Sequence, residues 1–244
     1  MQRRITTAVE MSVREFARTP VLIALLAFLP VYIIGVFVWL VPDATVPLTI
    51  DGTTVTVEMG AFAAAFMTPV TVAILSGIVG LFLMQTSQMA DRRLRLAGYQ
   101  ARELVTARVG LLTAGSVIVT GASLAVALFA FTPENVVAFS IAAVLVGVTY
   151  GILGVIVGIV LNRLSGVYVM LFAPMVDILM FQNPLATESP TWTTVLPGHF
   201  ATNALMDAAF TSGGNFNDFL AASGYVLVLL SIGIILFYRA TMSD

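Results

Sequence analysis

The chain contains no cysteine, no lysine and only one histidine. Without cysteine there are no disulfides, no thiol catalysis and no thiolate metal sites. All 11 basic residues are therefore arginine, and the absence of lysine excludes a Walker-type phosphate-binding loop, a Schiff base and a lysine nucleophile. A single histidine leaves no second imidazole with which to hold zinc or haem.

Charged residues are also scarce. They make up 10% of the 244 residues, whereas a typical soluble domain has about 25%. Hydrophobic residues make up 59% of the chain, and the mean hydropathy is +1.01. This composition excludes a soluble globular enzyme and an intrinsically disordered chain. The formal net charge of −2 gives no reason to expect nucleic acid as a partner.

Long apolar stretches fill most of the sequence. A transmembrane helix needs about 20 predominantly apolar residues. Six stretches meet or approach this length: residues 21–41, 61–84, 109–131, 136–161, 167–181 and 219–238. The fifth is the shortest and contains Pro174 and Asp177. We therefore predict an all-α polytopic membrane protein with six transmembrane helices in a single domain over residues 1–244.

All arginines fall on one side of this six-span arrangement, although hydropathy alone defines the spans. They are Arg3, Arg4, Arg14, Arg18, Arg92, Arg93, Arg95, Arg102, Arg108, Arg163 and Arg239. By the positive-inside rule, both termini of this multi-pass protein lie on the cytoplasmic side of the cell membrane. The opposite side carries acids: Asp43, Asp51, Glu58, Glu134, Glu188, Asp207 and Asp218.

The residues before Pro20 form an amphipathic pattern. Apolar or small residues recur at helical spacing from Ile5 to Phe16, and arginines occupy the other face. We predict an interfacial helix over residues 1–19 on the cytoplasmic side. It serves either as a topology anchor or as an elbow that transmits force from a cytoplasmic partner. The first span is too long for a cleaved signal peptide.

The most charged segment follows span two and reads QTSQMADRRLRLAGYQARE over residues 85–103. Asp91 and Arg95 form an i, i+4 pair, and Gly98 interrupts the helical pattern. The segment is either a solvated loop whose arginines set the topology or a docking site for another protein. We predict a short helix, a turn and re-entry into span three.

Two segments are predicted on the outer side. The dipeptide Asp51-Gly52, flanked by β-branched residues, predicts a small exofacial hairpin after span one. Residues 182–218 contain several prolines and glycines and the potentially helical stretch His199–Phe210. We predict one or two short exofacial helices there, with a re-entrant pair as the alternative, because irregular backbone at bilayer depth must be buried in protein or face water.

Few residues are candidates for a proton, cation or metal site. Asp177 is the one clear ionisable residue inside a span, so it is either a proton or cation site or a cap where the chain leaves the bilayer. His199 is interpreted as a loop residue, and no metal site is expected. Span four carries two small-xxx-small motifs, formed by Gly147, Gly151, Gly154 and Gly158. These predict close helix packing, within one subunit or between two.

Taken in order, these features resemble the permease subunit of type-2 (ABC-2) ATP-binding-cassette exporters. The resemblance covers nearly the whole chain and rests on an N-terminal helix ending in EFARTP, six spans, the basic segment DRRLRLAGYQAREL and the segment LPGHFATNAL before span six. The resemblance implies ATPase docking by Glu15, Phe16, Arg18, Asp91, Arg92, Arg93, Arg95, Gly98, Tyr99 and Arg102.

The chain departs from the family where many members have a glutamate and a Gly-Thr step after span two. Here that region has Asp91, arginines and Gly98-Tyr99, so neither the subfamily nor the substrate follows from the resemblance. The use of arginine alone and the acidic outer side also resemble proteins of halophilic archaea.

The resemblance implies a transport subunit rather than an enzyme. It would form a substrate pathway as a dimer with a second permease copy or homologue. A separate ATPase subunit would bind ATP and Mg²⁺, because this chain has no phosphate-binding lysine and no cofactor of its own is expected. The alternative is a secondary transporter or channel that uses Asp177. A membrane-embedded enzyme or assembly factor is a third hypothesis, weakened by the lack of paired histidines, cysteines or acids.

Overall fold

A computed structural model describes residues 20–50, 53–96, 101–185, 191–212 and 215–242. The described chain is predominantly helical. Its elements are α1 (Pro20–Leu40), β1 (Thr45–Ile50), β2 (Thr53–Glu58), α2 (Met59–Leu96), α3 (Ala101–Ala130), α4 (Val136–Val160), α5 (Arg163–Met175), a π-helical segment (Val176–Phe181), a 3₁₀ turn (Thr191–Val195), α6 (His199–Phe210) and α7 (Phe216–Met242). The predicted helix at residues 1–19 lies outside the described residues.

Five helical stretches are long and apolar enough to cross a membrane. They are Met59–Thr86, Val105–Ala130, Val136–Val160, Arg163–Phe181 and Phe216–Leu236. Helix α1 contributes a shorter apolar stretch, Ala24–Leu40. The chain is therefore compatible with a multi-pass helical membrane protein, and the sixth span stays a prediction.

The fifth predicted span is longer in the structure than residues 167–181. It begins at Arg163 because Asn162 caps the helix, its side-chain oxygen accepting a hydrogen bond of 3.0 Å from the backbone N–H of Ser165. It also continues beyond Pro174 through the π segment to Phe181. The resulting stretch of 19 residues reaches the length of a membrane span.

The segment after span two also differs from its prediction. Instead of a separate short helix, α2 continues without a break from its apolar part to Leu96. Gly98, which was expected to interrupt the helix, lies outside the described residues. Helix α3 is already formed at Ala101. The basic residues of this segment thus belong to the end of a 38-residue helix.

Helix α2 is the centre of the bundle. Residues 62–84 are all buried, and α2 contacts α1, α3, α4, α5 and α6. The surrounding helices keep large apolar side chains exposed, such as Phe28 on α1, Phe129 on α3 and Leu227 on α7. This arrangement gives the bundle an apolar outer surface, as a bilayer requires.

Glycines bring the backbones of α2 and α4 into direct contact. A side chain at Gly80 would collide with the carbonyl oxygen of Gly151, and one at Gly154 would collide with the carbonyl oxygen of Gly77. Small residues permit this approach because apolar helices in lipid associate mainly by close packing. The contact aligns the central helix with α4, which carries part of the polar site described below.

A two-stranded antiparallel hairpin follows α1, where the sequence predicted one. Its register pairs Thr45 with Glu58 and Ile50 with Thr53, which leaves two residues for the turn. Leu48 is fully buried. The hairpin leads into α2, since the backbone N–H of Met59 donates to the carbonyl of Ala44 at 2.8 Å.

Helix α6 spans His199–Phe210, the stretch predicted to be helical. It is packed inside the bundle against α4, α7 and α2. Its last carbonyls accept hydrogen bonds of 3.0 Å from the turn between α3 and α4: Glu134 N–H donates to Ala209, and Asn135 N–H donates to Ala208. The buried C-terminus of α6 therefore has backbone partners.

Asp207, predicted on the outer side, is also buried in this region. Its carboxylate accepts hydrogen bonds of 2.5 Å from the Thr211 hydroxyl and from the backbone N–H of Asn215. These bonds hold the connection to α7 against the end of α6.

Candidate functional site

Asp177 lies in the π-helical segment at the end of the fifth apolar stretch. The π turn follows Pro174, which cannot donate a backbone hydrogen bond to the preceding turn of α5. Single π turns inside α-helices often occur at functional sites. Asp177 is 6% exposed, so its carboxylate is directed into protein rather than toward the lipid-facing surface.

Three neutral donors reach the Asp177 carboxylate. The Tyr150 hydroxyl from α4 donates to Oδ2 at 2.5 Å. The backbone N–H of Gly198 donates to the same oxygen at 2.9 Å. The Gln182 amide nitrogen donates to Oδ1 at 3.2 Å. These bonds connect α4, the π segment and the start of α6 at one buried carboxylate, and they match the acceptor-only chemistry of its ionised form.

The hydrogen-bonded chain continues from Gln182 to His199. The Gln182 amide group also donates to the carbonyl of Thr193 at 3.4 Å. The two groups that contact the Gln182 amide nitrogen, the Asp177 carboxylate and the Thr193 carbonyl, can only accept hydrogen bonds. The amide oxygen of Gln182 therefore faces His199 Nδ1, at a distance of 2.8 Å. This orientation assigns the proton to Nδ1, and His199 Nε2 accepts from the Asn203 amide at 3.4 Å.

His199 is therefore not the loop residue that the sequence indicated. It is the first residue of α6, it is half-buried, and both of its ring nitrogens have partners. Burial lowers the pKa of His199, and the nearby Asp177 carboxylate opposes that shift. The imidazole is consequently neutral at pH 7.

The Asp177 carboxylate lies at the N-terminus of α6. Gly198 is the N-cap residue of this helix and has no capping side chain of its own. An N-terminus carries unsatisfied N–H groups and the positive end of the helix dipole, which favours an anion. Asp177 from another element thus supplies the missing acceptor and places negative charge where the helix stabilises it.

Only a residue without a side chain fits at position 198. A Cβ on Gly198 would lie 2.8 Å from the Tyr150 hydroxyl oxygen and 3.0 Å from Asp177 Oδ2. Both distances are too short for carbon, so any larger residue would push the tyrosine and the carboxylate apart. Gly198 is part of the site because of this close approach.

The site lies deep along α4. Tyr150 is about 21 Å along the helix axis from Val136, at a rise of about 1.5 Å per residue. Helix α6 begins beside the Tyr150 hydroxyl and ends beside Asn135. It therefore runs antiparallel to the first half of α4, and its N-terminus lies far from the end of the bundle where its C-terminus lies.

Sequence reasoning identified Asp177 but missed Tyr150, Gln182 and Gly198. A tyrosine within glycine motifs and a glycine after a proline have many ordinary explanations. The five-residue separation of Asp177 and Gln182 brings them together only because the backbone forms a π turn. The clearest available signal was the combination of a carboxylate in an apolar span with a potential helix start at Gly198-His199.

The residues that the resemblance assigned to ATPase docking do not meet at this site. Asp91, Arg92, Arg93 and Arg95 lie on the last turns of α2, and Arg102 lies on the first turn of α3. The remaining positions, Glu15, Phe16, Arg18, Gly98 and Tyr99, lie outside the described residues.

The four glycines of α4 pack against helices of the same chain. Gly151 and Gly154 meet the backbone of α2, as described above. Gly147 lies against Ser76 and Ser116, and Gly158 lies against Met84 and Leu81. The glycine-bearing faces of α4 are therefore covered by other helices of the same chain.

Within the described ranges, no group of three or more histidine, aspartate or glutamate side chains is placed to hold a metal ion. Around Asp177, one carboxylate (Asp177) and one imidazole (His199) both contact the side-chain amide of Gln182. This arrangement orients hydrogen bonds and holds one negative charge.

No protein-family model matches the chain, and the search of curated proteins found no match.

Proposed function

We propose that this chain is the membrane-spanning permease subunit of a type-2 ABC exporter in the cell membrane. It works with a second permease copy or homologue and is driven by a separate ATPase subunit that binds ATP and Mg²⁺. Both termini lie in the cytoplasm, and the pathway lies between the two permease subunits. The sequence features that resemble this family are the first support for the proposal.

The observation that carries the proposal is the continuity of α2. This helix is the buried centre of the bundle, and the same helix continues for 10 residues beyond Thr86 to Leu96. That extension is about 15 Å long and carries Asp91, Arg92, Arg93 and Arg95. A partner bound at its end would act directly on the element around which α1, α3, α4, α5 and α6 pack.

Such a connection suits a subunit that receives mechanical work from another protein. Packed helices move as rigid bodies between discrete arrangements, because their interiors do not deform continuously. Movement of the end of α2 would therefore be transmitted to its neighbours in the bundle. A helix that ended at the membrane surface would offer no comparable lever.

Charge reversal at the end of α2 tests this proposal. We expect the triple variant Arg92→Glu, Arg93→Glu, Arg95→Glu to lose a nucleotide-binding subunit that co-purifies with the wild-type chain. The matched control is Arg239→Glu, which reverses an arginine on the same predicted side but outside the docking segments. Equal recovery of the ATPase with all three proteins would contradict docking by α2.

The secondary-transporter alternative is favoured by one observation, the buried carboxylate of Asp177. Against it, three neutral donors already reach that carboxylate. Proton-driven substrate flux by the purified chain in liposomes without ATP, abolished by Asp177→Asn, would favour this alternative over the ABC permease.

A further inference from the structure

Two serine hydroxyls are buried where α2, α3 and α4 pack together. Ser76 on α2 and Ser116 on α3 are both fully buried. Within the part of the chain that the structure describes, neither hydroxyl oxygen has a hydrogen-bond partner. Buried polar groups in folded proteins are normally bonded to protein or to ordered water, because an unbonded group is costly. These two hydroxyls therefore need a further polar partner.

Both serines approach the same stretch of α4. A Cβ on Gly147 would lie 3.1 Å from Ser76 Oγ and 3.2 Å from Ser116 Cβ. One turn further along α4, a Cβ on Gly151 would lie 3.3 Å from Ser116 Oγ. The two hydroxyls thus belong to one junction, formed by Ser76, Ser116, Gly147 and Gly151 and called the serine junction below.

Other buried hydroxyls on the same helices are satisfied locally. Thr71 on α2 and Ser123 on α3 each donate to the backbone carbonyl four residues earlier, at 2.8 Å and 3.0 Å. Serine and threonine commonly bond in this way inside helices. Among the described residues, Ser76 and Ser116 make no such bond and approach the glycines of α4 instead. The serine junction therefore differs from the ordinary polar positions of these helices.

We propose that the serine junction binds one water molecule, which bridges the Ser76 and Ser116 hydroxyls. Water can donate to one hydroxyl oxygen and accept from the other, and buried waters typically have two to four polar partners. Small residues on all three helices leave more room than larger side chains would, and Val72 and Leu112 close the junction with apolar carbons. An apolar ligand of this size would leave both hydroxyls unbonded.

The bridging water would join the buried central helix to α3 by hydrogen bonds as well as by packing. Helix α2 contacts both α3 and α4, and water-mediated hydrogen bonds are nearly as favourable in enthalpy as direct ones. The two serines would then stabilise the bundle as a pair rather than independently. This inference needs only the packing of the three helices, so it does not depend on the proposed function.

Alanine substitutions test whether one molecule joins the two hydroxyls. Ser76→Ala and Ser116→Ala each remove one of the two bonds to the bridging water. We expect each single variant to lower the thermal unfolding midpoint of the purified chain in detergent by about 2–4 °C, the shift for one hydrogen bond in a protein of this size. The double variant should lower the midpoint by less than the two single shifts together, because the second substitution removes a hydroxyl whose bridge is already broken.

Ser123→Ala is the matched control. Ser123 is also a fully buried serine on α3, but its hydroxyl donates within its own helix, so its effect should add to that of Ser76→Ala. Circular dichroism and gel filtration establish that all variants are folded. Additive effects of Ser76→Ala and Ser116→Ala would overturn the proposal, because hydroxyls without a shared partner act independently. A higher midpoint in either single variant would also overturn it, because the removed hydroxyl would then have been unbonded.

A high-resolution structure distinguishes a bridging water from a direct bond between the serines. We expect density for one water about 2.5–3.0 Å from both hydroxyl oxygens in the wild-type chain, and no such density in the double variant. A direct hydrogen bond between Ser76 and Ser116 in that structure would overturn the proposal. Serines bonded to carbonyls of their own helices, without the water, would overturn it as well.

Discussion

Asp177 caps the buried start of α6 rather than presenting an open carboxylate. The buried N–H of Gly198 donates to the Asp177 carboxylate, and an unsatisfied buried donor would be costly. Tyr150 and Gln182 complete the hydrogen bonding of the same carboxylate. This structural role accounts for an ionisable residue in an apolar span. It differs from the cap of span five that the sequence suggested, because the helix that Asp177 caps is α6.

We expect Asp177→Asn to destabilise the protein by about 1–3 kcal/mol, because an amide nitrogen would face a hydrogen-bond donor at one of its two oxygen positions. Thermal unfolding of the purified protein in detergent checks this expectation. Asp43→Asn, at an exposed position between α1 and β1, is the control and should change the midpoint little. An Asp177→Asn protein as stable as wild type would contradict the capping role.

The pH dependence of stability should report on His199. Because burial lowers its pKa in the folded protein, the unfolded chain binds a proton more readily. The stabilisation is therefore complete above the unfolded pKa of about 6.5 and is lost as the pH falls toward the lower folded pKa.

We expect the melting temperature of wild type to fall between pH 7.5 and 5.5, and that of His199→Gln to change less. Asp177 and Tyr150 are present in both proteins, so the difference between the two profiles isolates the contribution of His199. Parallel pH profiles of the two proteins would show that His199 does not cause the effect.

At the scale of elements, the backbones of α2 and α4 are in direct contact at their glycines. Gly80→Ala and Gly154→Ala each place a methyl group against a backbone carbonyl, and overpacking of this kind costs about 1–3 kcal/mol. Gly121→Ala on α3 is the control, since no atom lies within 4 Å of its Cβ position. We expect Gly121→Ala to be neutral or stabilising by up to about 1 kcal/mol.

Unfolding midpoints of the three variants check this prediction. Similar midpoints for all three would show that α2 and α4 do not depend on their direct backbone contact. A lower unfolding midpoint in Gly80→Ala and Gly154→Ala alone would support the importance of this contact.

The proposed coupling to an ATPase should depend on the stiffness of the α2 extension as well as on its charge. Ser87→Gly with Gln88→Gly introduces two glycines between the bundle and the arginines, each less favourable than alanine in a helix by about 1 kcal/mol. We expect this variant to keep the proposed ATPase partner but to lose the coupling between ATP hydrolysis and conformational change of the bundle.

Co-purification and ATP-dependent protease protection measure these two properties separately. The control is Ser87→Ala with Gln88→Ala, which keeps the helix intact. Normal ATP-dependent protection in the glycine variant would contradict a lever role for α2.

At the scale of the whole molecule, exposed aromatic residues mark the helix ends opposite the arginines. Trp39, Phe129 and Phe216 are 82%, 93% and 75% exposed, and each lies at the end of a helix opposite the arginine side. Trp192 is also exposed and packs its ring edge-to-face with Phe181. Aromatic residues concentrate at membrane interfaces, where their rings lie at the headgroup level.

The absence of cysteine allows a clean test of this orientation. A membrane-impermeant maleimide should label Thr54→Cys and Asn217→Cys in intact cells. It should label Thr86→Cys and Ser165→Cys only after the membrane is permeabilised. The natural chain provides the unlabelled control. The reverse pattern would contradict the positive-inside assignment.

Local patterns in the sequence predicted much of the secondary structure. The apolar stretches, the paired strands β1 and β2 and the helix His199–Phe210 each depend on neighbouring residues, so one segment contains the necessary information. The boundaries that differ involve interactions that are harder to recognise, such as the Asn162 cap and the π turn after Pro174. The sequence predicted a short helix after span two, but its local pattern did not show that this helix is continuous with the span.

The sequence by itself excluded chemistry based on cysteine or lysine, established a membrane-compatible composition and predicted that all arginines lie on one side. Composition and hydropathy carry these properties without reference to the fold. Only the tertiary structure decided that α2 is central and that Asp177 meets Tyr150, Gly198 and Gln182. These arrangements depend on residues far apart in the chain, such as Gly80 and Gly151, whose packing and hydrogen bonds exist only when the helices are assembled.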